Sequence, residues 1–419
     1  MRRRVRLVLG VGLFTVLLAG FFSPESRAPP DRSAGVSVEG RSPPDATTHA
    51  RPERDLARFA ASETTVPTTT TTTTPPPPRR FTLVATGDVL LHTALWEQAS
   101  ADAAAAGRTG HDFRPILAGI RPVVSGADVA ICHMETPVAP PGGPYSSYPS
   151  FSVPPEITEA LTATGYDACT TASNHTYDQG AEGVDRTLAA LDASGIQHVG
   201  SARTRQEAAK TTLLDVRGPD VALLSYTYGF NGIPAPNGET WRSNPIDEAR
   251  ILADASTARR HGAEVVVVAL HWGDEYRHDP NAQQRTFAPK LIRSPNIDLL
   301  LGHHAHVVQP VESIDGEWVV YGMGNLVSNQ GSQGPEKLEG LLVRFTFTET
   351  ANGWRATKAE YAPVLTDDRG PMRVLDVGRA LADPKTDPDL RRRLQTARDR
   401  TAMIVGGRGA ATAGVRPIG

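Results

Sequence analysis

EVVVVALH, residues 264–271, sets six apolar side chains in a row and ends them on a histidine. A stretch without polar alternation reads as a strand buried on both faces, which is how parallel sheets covered by helices are built. Four further runs repeat the design: FTLVAT (81–86) before Gly87-Asp88, ADVAIC (127–132) before His133-Met134-Glu135, YDACTTAS (166–173) before Asn174-His175, and IDLLL (297–301) before Gly302-His303-His304-Ala305-His306. Ligands of such sheets gather beyond the carboxyl ends of the strands. Five strands would thus deliver Asp, Glu, Asn and His to one edge, and the expectation is an α/β domain with a metal-dependent hydrolase site. Each motif alone is a weak signal. Together they weigh more, because a packed sheet has no structural need for so many polar groups at one edge and unpaired buried polar groups are costly.

Outward from this core, Arg2, Arg3, Arg4 and Arg6 precede an apolar stretch from Leu7 to Phe22 and then Ser26-Arg27-Ala28. The pattern predicts export, with residues 1–28 either a cleaved signal peptide or an N-terminal membrane anchor. Residues 29–80 are rich in Pro, Thr, Ser and Arg and culminate in a threonine run to Thr74 and Pro75 to Pro78. Such a composition cannot bury enough apolar surface to offset its ordering entropy, so a disordered stalk is expected, reaching ~150 Å at about 3.1 Å per residue. The expected location is extracytoplasmic, either secreted or anchored to the cell membrane.

Residues 81–377 are long enough for one large domain with a sizeable core. The formal net charge of −3 argues for neither nucleic acid nor a membrane surface as partner. Cys132 and Cys169 are the only cysteines; an exported protein permits a disulfide between them, and spacing alone leaves the pairing open. Ile157 and Leu161 in PPEITEALTATG, and Val184, Leu188 and Leu191 in GVDRTLAALDASG, fall at helical spacing. From Leu338 to Tyr361 the pattern changes to two alternating strands expected to join at Asn352-Gly353 as a hairpin. Residues 378–419 are expected to form a basic peripheral helix, with Leu390, Leu394 and Ala397 on one side, and a flexible tail.

TGDVLLH (86–92), ICHMETPV (131–138), YPSFSVPPE (148–156), ASNHTYDQGAEGVDRTLAAL (172–191), SYTYGFNGIPAPNG (225–238), ALHWGDEY (269–276), LGHHAHVVQPVE (301–312) and VYGMGNLVSNQ (320–330) occur in this order. Together they resemble the CapA family of bacterial poly-γ-glutamate capsule synthesis proteins, whose fold is that of the calcineurin-like metallophosphoesterases. The resemblance implies a four-layer α/β/β/α sandwich and a site at the strand ends for one or two divalent transition metal ions, Mn, Fe or Zn. Carried over residue by residue, it implies Asp88, Glu135, Asn174, His271, His304 and His306 as metal ligands, a mixture of carboxylate, amide and imidazole that suits those ions. It also places His175 next to a ligand, where it would act as general acid, oriented and charged by Asp178 or Asp88.

Two departures from the phosphoesterase pattern weaken the first metal position. Leu90 stands where that pattern has a histidine two residues after the first aspartate, leaving one imidazole missing unless His92 reaches back, and Glu135 replaces a bridging Asp. Other residues near the motifs carry two readings each. Tyr228, Asn231 and Trp241, in a Gly/Pro/Asn-rich loop, are either substrate contacts or ordinary loop residues, and His303 is either a substrate contact or a packing residue. His133 reads as a hydrogen-bonded neighbour rather than a ligand, and Asn325 as an amide that holds a loop or, from its position near the site, supports a ligand. The resemblance implies a role in making, exporting or trimming poly-γ-glutamate or a comparable envelope polymer, with hydrolysis of a phosphoester or γ-amide bond by water held on the metal. The partners implied are the anionic polymer or its precursor and membrane synthase subunits. The alternatives are a non-catalytic polymer-binding or synthase accessory protein, and an exported phosphatase of small esters.

Overall fold

The computed structural model describes residues 77–214 and 218–418, so the expected export signal, and the stalk as far as residue 76, lie outside the described residues. In chain order the strands are β1 (Arg80–Val89), β2 (Val129–Met134), β3 (Ala168–Thr170), β4 (Gln197–Val199), β5 (Leu213–Leu214), β6 (Val221–Thr227), β7 (Val265–His271) and β8 (Leu299–His303). They continue with β9 (Val311–Ile314), β10 (Glu317–Val320), β11 (Asn325–Val327), β12 (Glu339–Thr350), β13 (Gly353–Asp367), β14 (Arg373–Asp376) and β15 (Arg416–Pro417). One sheet runs β14-β13-β12-β1-β2-β3-β4, with β11 beside β1 and β15 beside β13; the second runs β5-β6-β7-β8-β10-β9. The five predicted runs are β1, β2, β3, β7 and β8, and their neighbours within each sheet, β1 with β2, β2 with β3 and β7 with β8, pair in parallel.

Side-chain parity explains why these runs are apolar throughout. Leu83, Ala85, Val129 and Ile131 of the first sheet pack with Val265, Val267, Ala269, Leu299 and Leu301 of the second, forming the core between the sheets. The alternate residues Val84, Ala130 and Cys132 face the helices α1 (Thr93–Ala105), α2 (Ile157–Thr164) and α3 (Gly180–Ala193). Val266, Val268, Leu270 and Leu300 face α4 (Glu248–Arg260) and α5 (Ala282–Ile292) on the other side. Helix, sheet, sheet and helix make the expected four-layer α/β/β/α sandwich. Burying one Val or Leu side chain contributes about 1.5–3 kcal/mol, whereas helix propensities differ by less than ~1 kcal/mol between ordinary residues. Burial therefore decides that EVVVVAL is a strand.

Ile157, Leu161, Val184, Leu188 and Leu191 are buried as their spacing predicts. Gly165 ends α2 in the left-handed region, at φ 107°. Cys132 and Cys169, register partners on β2 and β3, form a disulfide with their Cα atoms 4.5 Å apart. The hairpin turns one residue earlier than expected: Thr350 pairs with Gly353, so Ala351 and Asn352 make the turn and Gly353, at φ 95°, opens β13. No helix of the described residues is long and apolar enough to cross a membrane.

The carboxyl-terminal segment departs from the expected flexible tail. The basic helix is present as α6 (Pro388–Val405), but Leu394, Ala397, Thr401 and Val405 are buried, and Leu394 and Ala397 pack against Leu338, Leu365 and Val377. Beyond it β15 pairs with β13. Arg400 of α6 lies 2.9 Å from Glu339 at the start of β12. Burial pushes the Glu339 carboxyl from its ordinary 4.5 up to about 7 in spite of that arginine. Because the folded value lies above the unfolded one, the native state binds this proton more tightly; its contribution to stability is full below 4.5 and is lost as pH rises through about 7. Glu339→Gln should remove that portion of the fall in stability across this window, as read by urea denaturation at a series of pH values. An unchanged slope would show that the carboxyl does not titrate there.

Candidate metal centre

Backbone contacts hold the strand ends in place. A Cβ on Gly87 would strike the Gly324 carbonyl oxygen, and one on Gly302 would strike that of Tyr321. Only glycine lets β1 and β8 approach their neighbours just before Asp88 and His303. Asp88 pairs in register with His133 on β2 and with Asn325 on β11, while His271 pairs with His303 across β7 and β8. The carboxyl ends of both sheets therefore converge on one buried cluster.

Asp88, 0% exposed, accepts from His303 Nδ1 at 2.8 Å and from the His304 backbone N–H at 3.2 Å, with His306 Nδ1 at 3.3 Å. Burial works to raise its carboxyl, but the hydrogen bonds from His303 and His306 win and hold it well below the usual carboxylate range. Glu135 is equally buried, and neither of its carboxylate oxygens has a hydrogen-bond partner; His306 Nε2 is 3.6 Å away, beyond hydrogen-bond reach. Burial pushes this carboxyl well up, with Asp88 adding to the rise and His306 opposing it. His306 donates from Nδ1 to Asn325 Oδ1 at 3.0 Å. Burial lowers its imidazole, but Glu135 and Asp88 together push it up to about 9. His304 is pushed down to about 3, chiefly by burial, and its Nδ1 is buried without a partner.

A second chain of bonds crosses between the sheets. Asn174 Nδ2 donates to Asn231 at 3.2 Å, which leaves its Oδ1 to accept from His271 Nε2 at 2.9 Å. His271 Nδ1 must then accept from His133 Nε2, also at 2.9 Å, and His133 Nδ1 accepts from the Thr170 hydroxyl at 2.7 Å. Burial lowers both imidazoles well below their ordinary value, so this relay is neutral.

Among the described residues, potential ligand atoms lie within 4.8 Å of one another in three triads: Asp88, His133 and His303; Asp88, Glu135 and His306; and Glu275, His304 and His306. Of the expected ligands, Asp88, Glu135, His304 and His306 are in these triads, while Asn174 and His271 stand alongside and satisfy each other. The imidazole missing next to Asp88 is supplied by His303 and His133, not by His92, whose Nδ1 accepts from the Asn329 backbone at 3.3 Å. Asn325, whose position allowed it to support the site as well as hold a loop, accepts from His306 and donates to the Lys337 carbonyl. His175 donates from Nδ1 to Asp178 at 2.7 Å, and Asp178 also accepts from the Phe151 N–H, so Asp178 rather than Asp88 orients it.

Tyr228 lies 4.4 Å from the His304 ring and is 43% exposed, and Asn231 reaches Asn174, so both flank the centre. Trp241 does not join them. It lies over the guanidinium groups of Arg242 and Arg205 and lines a separate cavity of about 290 Å³ with Arg203, Tyr226 and Asn244. Glu275 was not anticipated; the signal was its place in HWGDEY, four residues after His271.

The donor set fits a divalent transition metal. It combines carboxylate with imidazole, and the two oxygens of buried Glu135 have no hydrogen-bond donor, His306 standing 3.6 Å away.

The PGA biosynthesis protein CapA of Bacillus subtilis strain 168 is 32% identical over 177 residues, 42% of this chain and 46% of that protein. The capsule biosynthesis protein CapA of Bacillus anthracis is 28% identical over 179 residues, 42% of this chain and 43% of that protein. A Mycobacterium tuberculosis H37Rv protein named "Probable polyglutamine synthesis accessory protein" is 29% identical over 244 residues, 54% of this chain and 63% of that one. This chain thus spans about half the length of the relatives it matches. Among solved structures, the calcineurin-like phosphoesterase YfkN from Bacillus subtilis superposes with a TM-score of 0.43 at 13% identity, covering 78% of this chain and 98% of that one. The profile of the family described as "Bacterial capsule synthesis protein PGA_cap" matches residues 82–330, which include every residue of the three triads and of the His133 relay. The chain belongs to the bacterial capsule synthesis protein family.

Proposed function

We propose that this protein is an extracytoplasmic, metal-dependent hydrolase that acts in making, exporting or trimming poly-γ-glutamate or a comparable anionic envelope polymer. The observation that carries the reading is Glu135: a wholly buried carboxylate with no hydrogen-bond partner, beside Asp88 and five imidazoles, is tolerated where a cation is bound. The names of the relatives support the polymer. The arginine-led, apolar amino terminus and the Cys132–Cys169 disulfide support export, since disulfides persist in oxidising compartments.

Asp88, Glu135, His303, His304 and His306 would hold the metal, which when bound supplies a Lewis acid and lowers the pKa of water at the site. His175, held by Asp178, is placed to hold the proton that the leaving group takes up. Phe151 stands edge-on to His175, and Tyr228 covers His304; both limit the access of bulk water.

Incubating the purified, metal-supplemented protein with poly-γ-glutamate and separately with an aryl phosphate tests the reading. Shortening of the polymer, lost in His304→Ala, is the expected result. Release of aryl alcohol with intact polymer would instead make the protein a small-ester phosphatase. The name of the mycobacterial relative favours a second reading, a non-catalytic accessory to a membrane synthase; polymer binding without turnover, unchanged in His304→Ala, would establish it.

A further inference from the structure

We propose that the cavity lined by Trp241, where β4 at the edge of one sheet meets β6 of the other, binds a carboxylate, with the backbone N–H and the hydroxyl of Ser225 as donors. The cavity, of about 290 Å³, contains no residue of the three triads, so the inference stands apart from the hydrolase reading.

The edge of β6 is covered at two places and left open between them. The ladder to β5 ends at Ala222, Leu223 N–H still donates to the Thr212 carbonyl at 3.3 Å, and Thr227 N–H donates to the Asn244 carbonyl at 2.9 Å. N–H groups of alternate residues in a strand point to the same edge. Ser225 N–H therefore faces the gap between Thr212 and Asn244, and no acceptor among the described residues takes it. The Ser225 hydroxyl has no partner among them either, although the residue is only 1% exposed and lines the cavity. A Cβ on Gly200 would stand 2.8 Å from its Oγ, so that glycine leaves the space beside the hydroxyl open. Buried N–H groups without a partner are rare in native folds. Two unspent donors on one buried residue of a cavity point to an acceptor that enters it.

The remaining lining decides which acceptor. Its acids are engaged: Asp192 and Glu207 hold Arg203, and Asp254 accepts from the Tyr226 hydroxyl at 2.8 Å and lies 3.4 Å from Arg250. Arg250 also donates to Asn244 Oδ1 at 2.7 Å, and Asn244 Nδ2 to the Ser225 carbonyl at 3.1 Å, so both ends of that amide are used. Besides the two Ser225 groups, the Trp241 indole N–H has no hydrogen bond and the Lys210 ammonium no ion pair among the described residues. What is left over is a set of donors with one unpaired cation. A ligand with accepting oxygens and a single negative charge complements that set, which is the chemistry of a carboxylate. The volume is at the small end of ligand cavities and admits a small acid or one residue of an acidic chain.

The test is titration of the metal-free full-length protein with glutarate, with glutaramide as its uncharged counterpart and with a short γ-linked glutamate oligomer, followed by calorimetry and tryptophan emission. Glutarate or the oligomer should bind saturably and shift the emission, and the shift should vanish in Trp241→Phe. Ser225→Ala should weaken binding by about tenfold or more, the usual cost of a hydrogen bond to a charged group, and Lys210→Gln should weaken it as well; both should keep the wild-type melting temperature. Binding of the oligomer alone would assign the cavity to a segment of a chain, and binding of glutarate as well would assign it to a small acid. No saturable binding of either acid, equal affinity for glutaramide, or undiminished affinity in Ser225→Ala would overturn the proposal, and none of these results bears on the hydrolase reading.

Discussion

Glu135→Ala should strip the protein of transition metal, and should change stability with opposite sign in its metal-free and metal-loaded forms. In the metal-free protein the Glu135 carboxyl is buried, lacks a hydrogen-bond partner and is pushed well up by that burial. Leaving such a group unsatisfied costs about 1–3 kcal/mol, so truncation should leave the metal-free protein as stable as the wild type or more so, partly offset by the cavity left behind. In the loaded protein the same carboxylate faces a cation, and losing it should weaken binding by more than the roughly 10–100-fold that loss of an outer hydrogen-bond partner costs. Because a ligand that binds only the folded state stabilises it by mass action, metal should raise the melting temperature of the wild type and hardly move that of Glu135→Ala. Elemental analysis of protein purified without chelator and thermal melts with and without added Mn²⁺ read both effects. A variant that retains full metal content would mean that Glu135 is a buried neutral acid with no part in the site.

Most of the fold was legible because burial on both faces writes itself into a strand as an unbroken apolar run. The site was legible to the extent that polar motifs end the strands and match the family pattern. The resemblance selects His304 and His306, with one residue between them, and leaves His303 as a substrate contact or a packing residue. The structure breaks the alternation there: β8 ends at His303, and His304 and His306 take positive φ values of 86° and 54°. These turns let three histidines from one short segment reach the cluster, and His303 becomes the partner of Asp88. His133 is the hydrogen-bonded neighbour expected, but its partners were not legible. Its role depends on His271 and His303, which approach it from the other sheet, and contacts across two sheets leave no local pattern. Glu275 lies beyond the end of β7 on a loop whose course is set by a bond to Ala305, a long-range contact that periodicity cannot express. Trp241 shares a loop with Tyr228 and Asn231, but the chain between them passes through two short 3-10 turns and carries it to another face of the fold. The carboxyl-terminal segment misled through composition: its arginines suggested a solvated helix, but Arg393, Arg400 and Arg408 are held by Asp367, Glu339 and Glu312 of the domain body, and Arg391 by the Leu381 and Asp383 carbonyls.

His175→Ala should lower kcat by about 10²–10⁴-fold, the usual contribution of a positioned general acid or base, while leaving metal content intact. The dissociation of the two effects follows from the geometry. His175 belongs to none of the three triads, and its one hydrogen-bonded ring partner is Asp178, at 2.7 Å. Asp178 in turn accepts from the Phe151 N–H, and Phe151 stands 4.8 Å from the His175 ring, edge-on, so the imidazole is held on one side by charge and on another by an aromatic edge. Asp178→Asn should therefore cost less than loss of the ring itself, since the amide oxygen still accepts the hydrogen bond that orients it. The pH profile separates a proton donor from a structural residue: removing a general acid abolishes the alkaline limb of the profile and lowers its plateau, whereas loosening the Asn174 loop scales the whole curve down without changing its shape. If His175→Ala keeps both wild-type turnover and the alkaline limb, the proton must come from elsewhere, and the His175–Asp178 pair serves only to hold the loop that carries Asn174 against His271.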